Sequence, residues 1–81
     1  MISARQIRAA RGLSLLGQRE LAARAEIGIA TLRRIEAAVD EITGTAQTMS
    51  RIQRALEEAG IVFIDQDGKS GPGVKLRDPL P

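Results

Sequence analysis

The side chains that carry reactive chemistry in most proteins are scarce in this chain. Histidine and cysteine are absent, which removes the usual general base, the thiolate nucleophile and the commonest metal ligands. No pair of carboxylates stands out as an acid and base of one pocket. An enzyme is not expected, and neither a cofactor nor a metal is implied. Arginine is what the chain offers instead. All but two of the 12 basic residues are arginine, against 10 acidic residues, for a net charge of +2. The planar guanidinium fork matches phosphate and the edge of guanine. A net charge this small says little about partners by itself, so the question is whether the arginines share a face.

The elements that position them are helical for most of the chain. Its 81 residues suit one domain with a single modest core, 43% of them hydrophobic with one aromatic, so the core is aliphatic. Ser3 followed by Gln6 is a capping-box pattern that opens a helix running to about Leu13, with Ile7 and Ala10 inward. Arg5, Arg8 and Arg11 form a stripe on its other side, which is either a solvated face or one from which Arg8 or Arg11 reaches a phosphate or a carboxylate of a neighbouring helix. Two of Leu13, Leu15 and Leu16, in the connection Gly12 to Gly17, are expected to tuck under the helices that follow. Thr45 caps the last long helix, which ends at Gly60 and carries Met49, Ile52 and Leu56 on one stripe, extended by Ala59. Most of the charge on that helix, Arg51 and Arg54 included, is expected to be solvated. Neither a signal peptide nor an apolar run of about 18 residues is apparent, so a soluble cytoplasmic protein is expected.

Between these helices, Gln18 to Ala37 reads as two short helices and a tight turn. Leu21, Ala22 and Ala25 make one apolar face, Leu32 and Ile35 another, and Ile27 falls between them. Ala22 is small where two steeply crossing backbones come closest. At about 100° per residue, Glu36 lies about 40° from Leu32, at the edge of the buried face, where a charge needs a partner. Opposite Leu32 and Ile35 lie Ala30, Arg34 and Ala37, flanked by Thr31 and Arg33. Such a face can enter a major groove without clashing.

Gln18, Glu20, Leu21, Ala22, Ala25, Ile27, Thr31, Leu32, Arg34 and Glu36 stand, in register and without a gap, where the Cro/repressor-type (Xre) helix-turn-helix family carries its signature. The stretch from about Ile2 to Gly60 resembles that family's bundle of four or five helices. The chain departs from the pattern at Glu26, where the family favours a glycine to open the turn, and at Gly28, where it favours a serine or threonine cap. Both departures predict a less stable turn than the family norm, since a left-handed Glu costs about 1 kcal/mol.

The resemblance implies roles residue by residue. It makes Gln18 a phosphate contact at a helix N-terminus, and it pairs Arg11 with Glu36 as a structural ion pair. The set expected to meet double-stranded DNA is Gln18, Arg19, Ile29, Ala30, Thr31, Arg33 and Arg34, on and beside a recognition helix around residues 29–37. Arg34 and Arg33 are the candidates for guanine, Thr31 for phosphate and Ala30 for a thymine methyl. Asp40 and Glu41 in the following loop would repel phosphate.

Beyond Gly60 the period changes to that of strands. Ile61 to Asp65 is β-branched and aromatic, Gln66 to Gly73 is rich in turn residues, and Val74 to Arg77 alternates, which together predict a β-hairpin. Its first strand is apolar on both faces, Ile61 and Phe63 one way and Val62 and Ile64 the other. A hairpin alone is marginal in water. One face can rest on the helices; the other predicts a homodimer through residues 61–77, with Ile61, Val62, Phe63, Ile64, Val74 and Leu76 as dimerisation residues, against the alternative that the hairpin folds wholly onto its own bundle. Residues 78–81 read as a tail.

The fold expected is thus mainly α, a repressor-like bundle over residues 1–60 with a helix-turn-helix, plus a C-terminal β-hairpin. The expected function is a sequence-specific DNA-binding transcriptional regulator, a repressor, reading an inverted repeat as a dimer whose recognition helices enter successive major grooves about 34 Å apart. Two alternatives stand beside it: a DNA-binding antitoxin whose C-terminal segment holds a toxin, and a protein-interaction bundle without DNA binding. A toxin or polymerase is the protein partner these readings allow.

Overall fold

A computed structural model describes residues 1–39 and 44–81. The acidic pair Asp40 and Glu41 lies outside the described residues. Among those described there are four helices, α1 (Ala4–Ser14), α2 (Gln18–Ala25), α3 (Ile29–Ala37) and α4 (Ala46–Glu58), followed by strands β1 (Ile61–Ile64) and β2 (Gly73–Leu76). No described helix is long and apolar enough to cross a membrane.

Each helix starts and stops for a local reason. Ser3 accepts from the Gln6 backbone N–H, and the Gln6 side chain accepts in turn from Ser3 N, so the capping box of α1 is complete. Thr45 caps α4 by accepting from Thr48 N. Gly60, at φ 98°, takes the left-handed position that ends α4. α1 and α2 stop instead at non-glycine residues in that conformation, Leu15 at φ 58° and Glu26 at φ 58°. Glu26 therefore occupies the strained conformation its place at the turn predicts. Gly28 is the N-cap of α3 and supplies no side-chain hydrogen bond.

The core forms where the inward faces of the four helices meet. Ile7, Leu21, Leu32, Ile35, Ile52 and Leu56 are fully buried, with Ala10, Ala22, Ala25 and Met49 filling between them. Small residues let the chain close: Gly44 lies so near Met49 and Ile35 that an added Cβ would fall 2.9 Å from the Met49 sulfur. In the connection between α1 and α2 the expectation of two tucked leucines is corrected to one. Leu16 is buried, while Leu13 is 42% and Leu15 89% exposed. The left-handed turn at Leu15 reverses the chain there and points its side chain to solvent.

The hairpin is antiparallel, with Ile61 opposite Leu76, Val62 opposite Lys75, Phe63 opposite Val74 and Ile64 opposite Gly73. Opposed residues share a face. Ile61 is buried in the core and Phe63, Val74 and Leu76 pack against it, so one face of the hairpin belongs to its own bundle. Of the four residues expected on that face to reach a second copy, Ile61 is buried within its own chain, while Phe63, Val74 and Leu76 are only half-buried there. Val62 and Ile64 lie on the other face, Ile64 43% exposed. Each strand ends one residue sooner than the alternation suggests, at Ile64 and Leu76, and β2 begins one sooner, at Gly73; Arg77 N donates to Gly60 O at 2.7 Å and closes the hairpin base.

Gln6 holds the opposite end of the hairpin. Its Nε2 donates to Ile64 O at 3.2 Å and to Gly73 O at 3.0 Å, and the residue is buried. A side chain that reads as a cap from its spacing thus also staples α1 to residues far along the chain. The loop between the strands is organised by Asp67, whose carboxylate accepts from Lys69 N and Ser70 N.

Candidate nucleic-acid interface

The candidate surface is built on α3 and the first turn of α2. α3 buries Leu32, Ile35 and Glu36, and its exposed side carries Ala30, Arg33, Arg34 and Ala37, with Thr31 half-buried at the flank. Arg34 is exposed with two alanines, Ala30 and Ala37, one turn away on either side. At the first turn of α2, Arg19 is exposed and Gln18 half-buried. Gly17, the N-cap there, makes no side-chain hydrogen bond. Of the seven residues expected to meet DNA, Arg19, Ala30, Arg33 and Arg34 are exposed and Gln18 and Thr31 half-buried, and the contact of Gln18 with Arg33 joins α2 to the flank of α3. Ile29 is the exception in kind, for its side chain is half-buried against the core and anchors the start of α3.

Beneath that surface runs a polar network. Glu36 is only 4% exposed and is held by a bidentate pair with Arg11, Nε to Oε2 and Nη2 to Oε1, each at 2.8 Å. The third helix thus carries a buried carboxylate, and the first helix supplies its counter-ion. Arg11 also donates from Nη1 to Leu16 O at 3.2 Å, which ties down the connection into α2. The hydrogen bond and charge of Glu36 hold the Arg11 guanidinium above its ordinary pKa, against the opposing effect of partial burial. Breaking such a pair leaves an uncompensated buried charge, the costly half of the exchange.

The network continues outward from Glu36. Gln18 Nε2 donates to Glu36 Oε1 at 3.4 Å, and Gln18 Oε1 accepts from Arg33 Nε at 3.4 Å. The amide orientation follows from these partners: its NH2 faces the carboxylate and its oxygen faces the guanidinium. One arginine of the stripe on α1 serves the same helix by another route. Arg8 donates from Nη1 to the carbonyls of Glu36 and Ala38, the latter at 3.3 Å. That charge sits at the C-terminal end of α3, where unpaired carbonyls and the helix dipole favour a cation. On α4, Arg51 donates to Glu26 O at 3.3 Å, so this arginine buttresses the turn between α2 and α3 instead of being simply solvated.

The resemblance paired Arg11 with Glu36, and the arginine stripe allowed Arg8 a phosphate or a carboxylate where it meets backbone carbonyls instead; the contact of Arg51 and the second role of Gln6 were not expected. Each of these donors reaches a backbone carbonyl, and no residue type at the accepting position announces that contact. Among the described residues no group of three or more acidic side chains that could hold a metal is found. Comparison with protein-family models and with curated proteins finds no match to this chain.

Proposed function

We propose that this chain is a DNA-binding transcriptional regulator of the Cro/repressor type, using α2, the turn and α3 as a helix-turn-helix. The observation that carries the reading is the outer face of α3, where small residues surround an exposed Arg34 and the first turn of α2 lies alongside with Gln18 and Arg19. In helix-turn-helix docking the second helix enters the major groove while the first crosses the sugar-phosphate backbone. Arg34 is suited to bidentate hydrogen bonds with guanine, Ala30 to contact with a thymine methyl, and Gln18 and Arg19 to phosphate.

The reading includes a homodimer that binds an inverted repeat and represses by occupancy. Val62 and Ile64, on the face of the hairpin turned from the bundle, are the apolar side chains offered to a second copy, and each strand of the two-stranded sheet is paired along one edge only. Light scattering on a size-exclusion column at about 100 μM, well above the Kd of a μM dimer, is expected to give twice the chain mass; a strict monomer removes the dimer from the proposal.

The decisive experiment for DNA binding is a titration with pooled random duplex at low and moderate salt. Binding is expected to weaken steeply with salt as counterions are released, and to collapse in Arg33→Ala/Arg34→Ala. Absence of binding even at low salt would overturn the reading.

A further inference from the structure

The two arginines of α3 stand in different surroundings, and that difference assigns them different work. Arg34 is exposed at the centre of the outer face, with Ala30 and Ala37 beside it and no protein hydrogen bond among the described residues. Arg33 is exposed too, but its Nε is held by Gln18 Oε1, and Gln18 is held in turn by Glu36, which the Arg11 pair fixes. The chain of contacts alternates donor and acceptor from α1 to the surface, through 2.8 Å bonds at the ion pair and longer ones, 3.4 Å each, at Gln18.

The charges along this chain matter as much as the bonds. Arg11 neutralises Glu36, and Gln18 is neutral. Arg33 is therefore restrained by an amide dipole and makes no ion pair with a carboxylate among the described residues. An arginine oriented in advance loses less entropy on capturing an anion. The tie to Gln18 also decides where that charge lies: beside the first residue of α2, on the flank of α3 that faces α2, away from the outward axis on which Arg34 stands.

We infer that Arg33 and Gln18 act as one unit, a preoriented clamp for a phosphate of the DNA backbone, and that base readout from this helix pair rests on Arg34 without Arg33. The inference rests on the DNA-binding reading and deepens it. It replaces the expectation that both arginines address guanine. Glu36 and Arg11 are positioning residues for the clamp, acting through Gln18.

The test is a double-mutant cycle on a duplex selected from a random library by the wild-type chain, with all single base-pair replacements of that duplex as the second axis. Arg33→Ala is expected to weaken binding to every duplex alike, by about 10-fold, and to lower the salt slope by about one. Gln18→Ala is expected to weaken binding by a smaller factor, and the pair of changes together to cost little more than Arg33→Ala alone. Arg33→Lys retains the salt slope, because the charge remains, but loses the coupling to Gln18. Arg34→Ala flattens the preference at one or two base pairs. Helix content and melting of each variant, read by circular dichroism, separate loss of contact from loss of fold.

A change of base preference in Arg33→Ala, or effects of Gln18→Ala and Arg33→Ala that multiply independently, would overturn the clamp while the DNA-binding reading stands. Wild-type protein that selects and binds no duplex overturns both.

Discussion

The two ends of α1 are held to the rest of the molecule by different chemistry. At the first turn a neutral amide, Gln6, satisfies three backbone groups at once: Ser3 N, Ile64 O and Gly73 O. At the last turn an ionised pair, Arg11 with Glu36, joins α1 to α3. Both contacts are buried or nearly so, yet they fail differently. Removing the amide takes one hydrogen bond from each of two carbonyls that the strand register already pairs, whereas removing the guanidinium strands a carboxylate in a low dielectric. The end beside the candidate interface is thus the more sensitive one, and its strength depends on charge; the end beside the hairpin depends on shape.

The largest expected effect tests that contrast directly. Arg11→Ala is predicted to destabilise the fold by about 3 kcal/mol in urea titration, below the full penalty of a deeply buried pair because Arg11 keeps some solvent. A loss under about 1 kcal/mol would mean that water compensates Glu36 and that the two ends do not differ in kind. The contribution of Arg11 has a definite pH window. Its folded pKa is raised above its ordinary value, so the stabilisation is fully present below that value and is lost only as pH rises beyond it; between about pH 7 and 10 it is expected to be flat.

Gln6→Ala is predicted to cost about 2 kcal/mol, from a lost capping partner and the two hydrogen bonds lost to the carbonyls of Ile64 and Gly73. Its signature is local. Amide exchange in β1 and β2 should accelerate while α3 keeps its protection, and a loss of protection spread evenly over the molecule would show that the hairpin and the bundle open together.

Smaller gains come from relieving the left-handed residues. Leu15→Gly, just past the ion-pair end of α1, and Glu26→Gly, opening the turn before α3, should each stabilise the protein by about 1 kcal/mol and raise its melting temperature, since glycine takes that conformation without a Cβ penalty. A fall at either position would mean that the side chain makes a compensating contact. The smallest effect belongs to the hairpin loop. Hydrogen bonds from the Lys69 and Ser70 amides hold the Asp67 carboxyl below its ordinary pKa. Their contribution is present above that ordinary value and is lost as pH falls through the lowered one, so exchange at these two amides should quicken in acid while the Gln6 contacts stay unchanged.

Much of this architecture is legible in the order of residues, because its cause is local. The capping box at Ser3 and Gln6, the Thr45 cap, the left-handed Gly60 and the spacing of Leu21, Leu32, Ile35, Ile52 and Leu56 define where helices begin, end and turn inward, all within one or two turns of chain. Angular spacing on one helix likewise put Glu36 at the edge of the buried face and Arg34 opposite it. The hairpin followed from alternation and turn residues.

What tertiary structure alone decided are the contacts whose partner leaves no mark in the sequence. Gln6 reaches carbonyls 58 and 67 residues away, and every residue carries a carbonyl, so nothing at Ile64 or Gly73 distinguishes them. The strand that is apolar on both sides could have turned either face inward; the register with Val74 and Leu76 and the fit against α1 and α4 chose Ile61 and Phe63. Arg33 and Arg34, equal as letters, were separated by about 100° of helix rotation and by the amide that the fold brings beside one of them. Sequence spacing specifies which residues share a face, but only the packing of one face on another selects the partner each polar group meets.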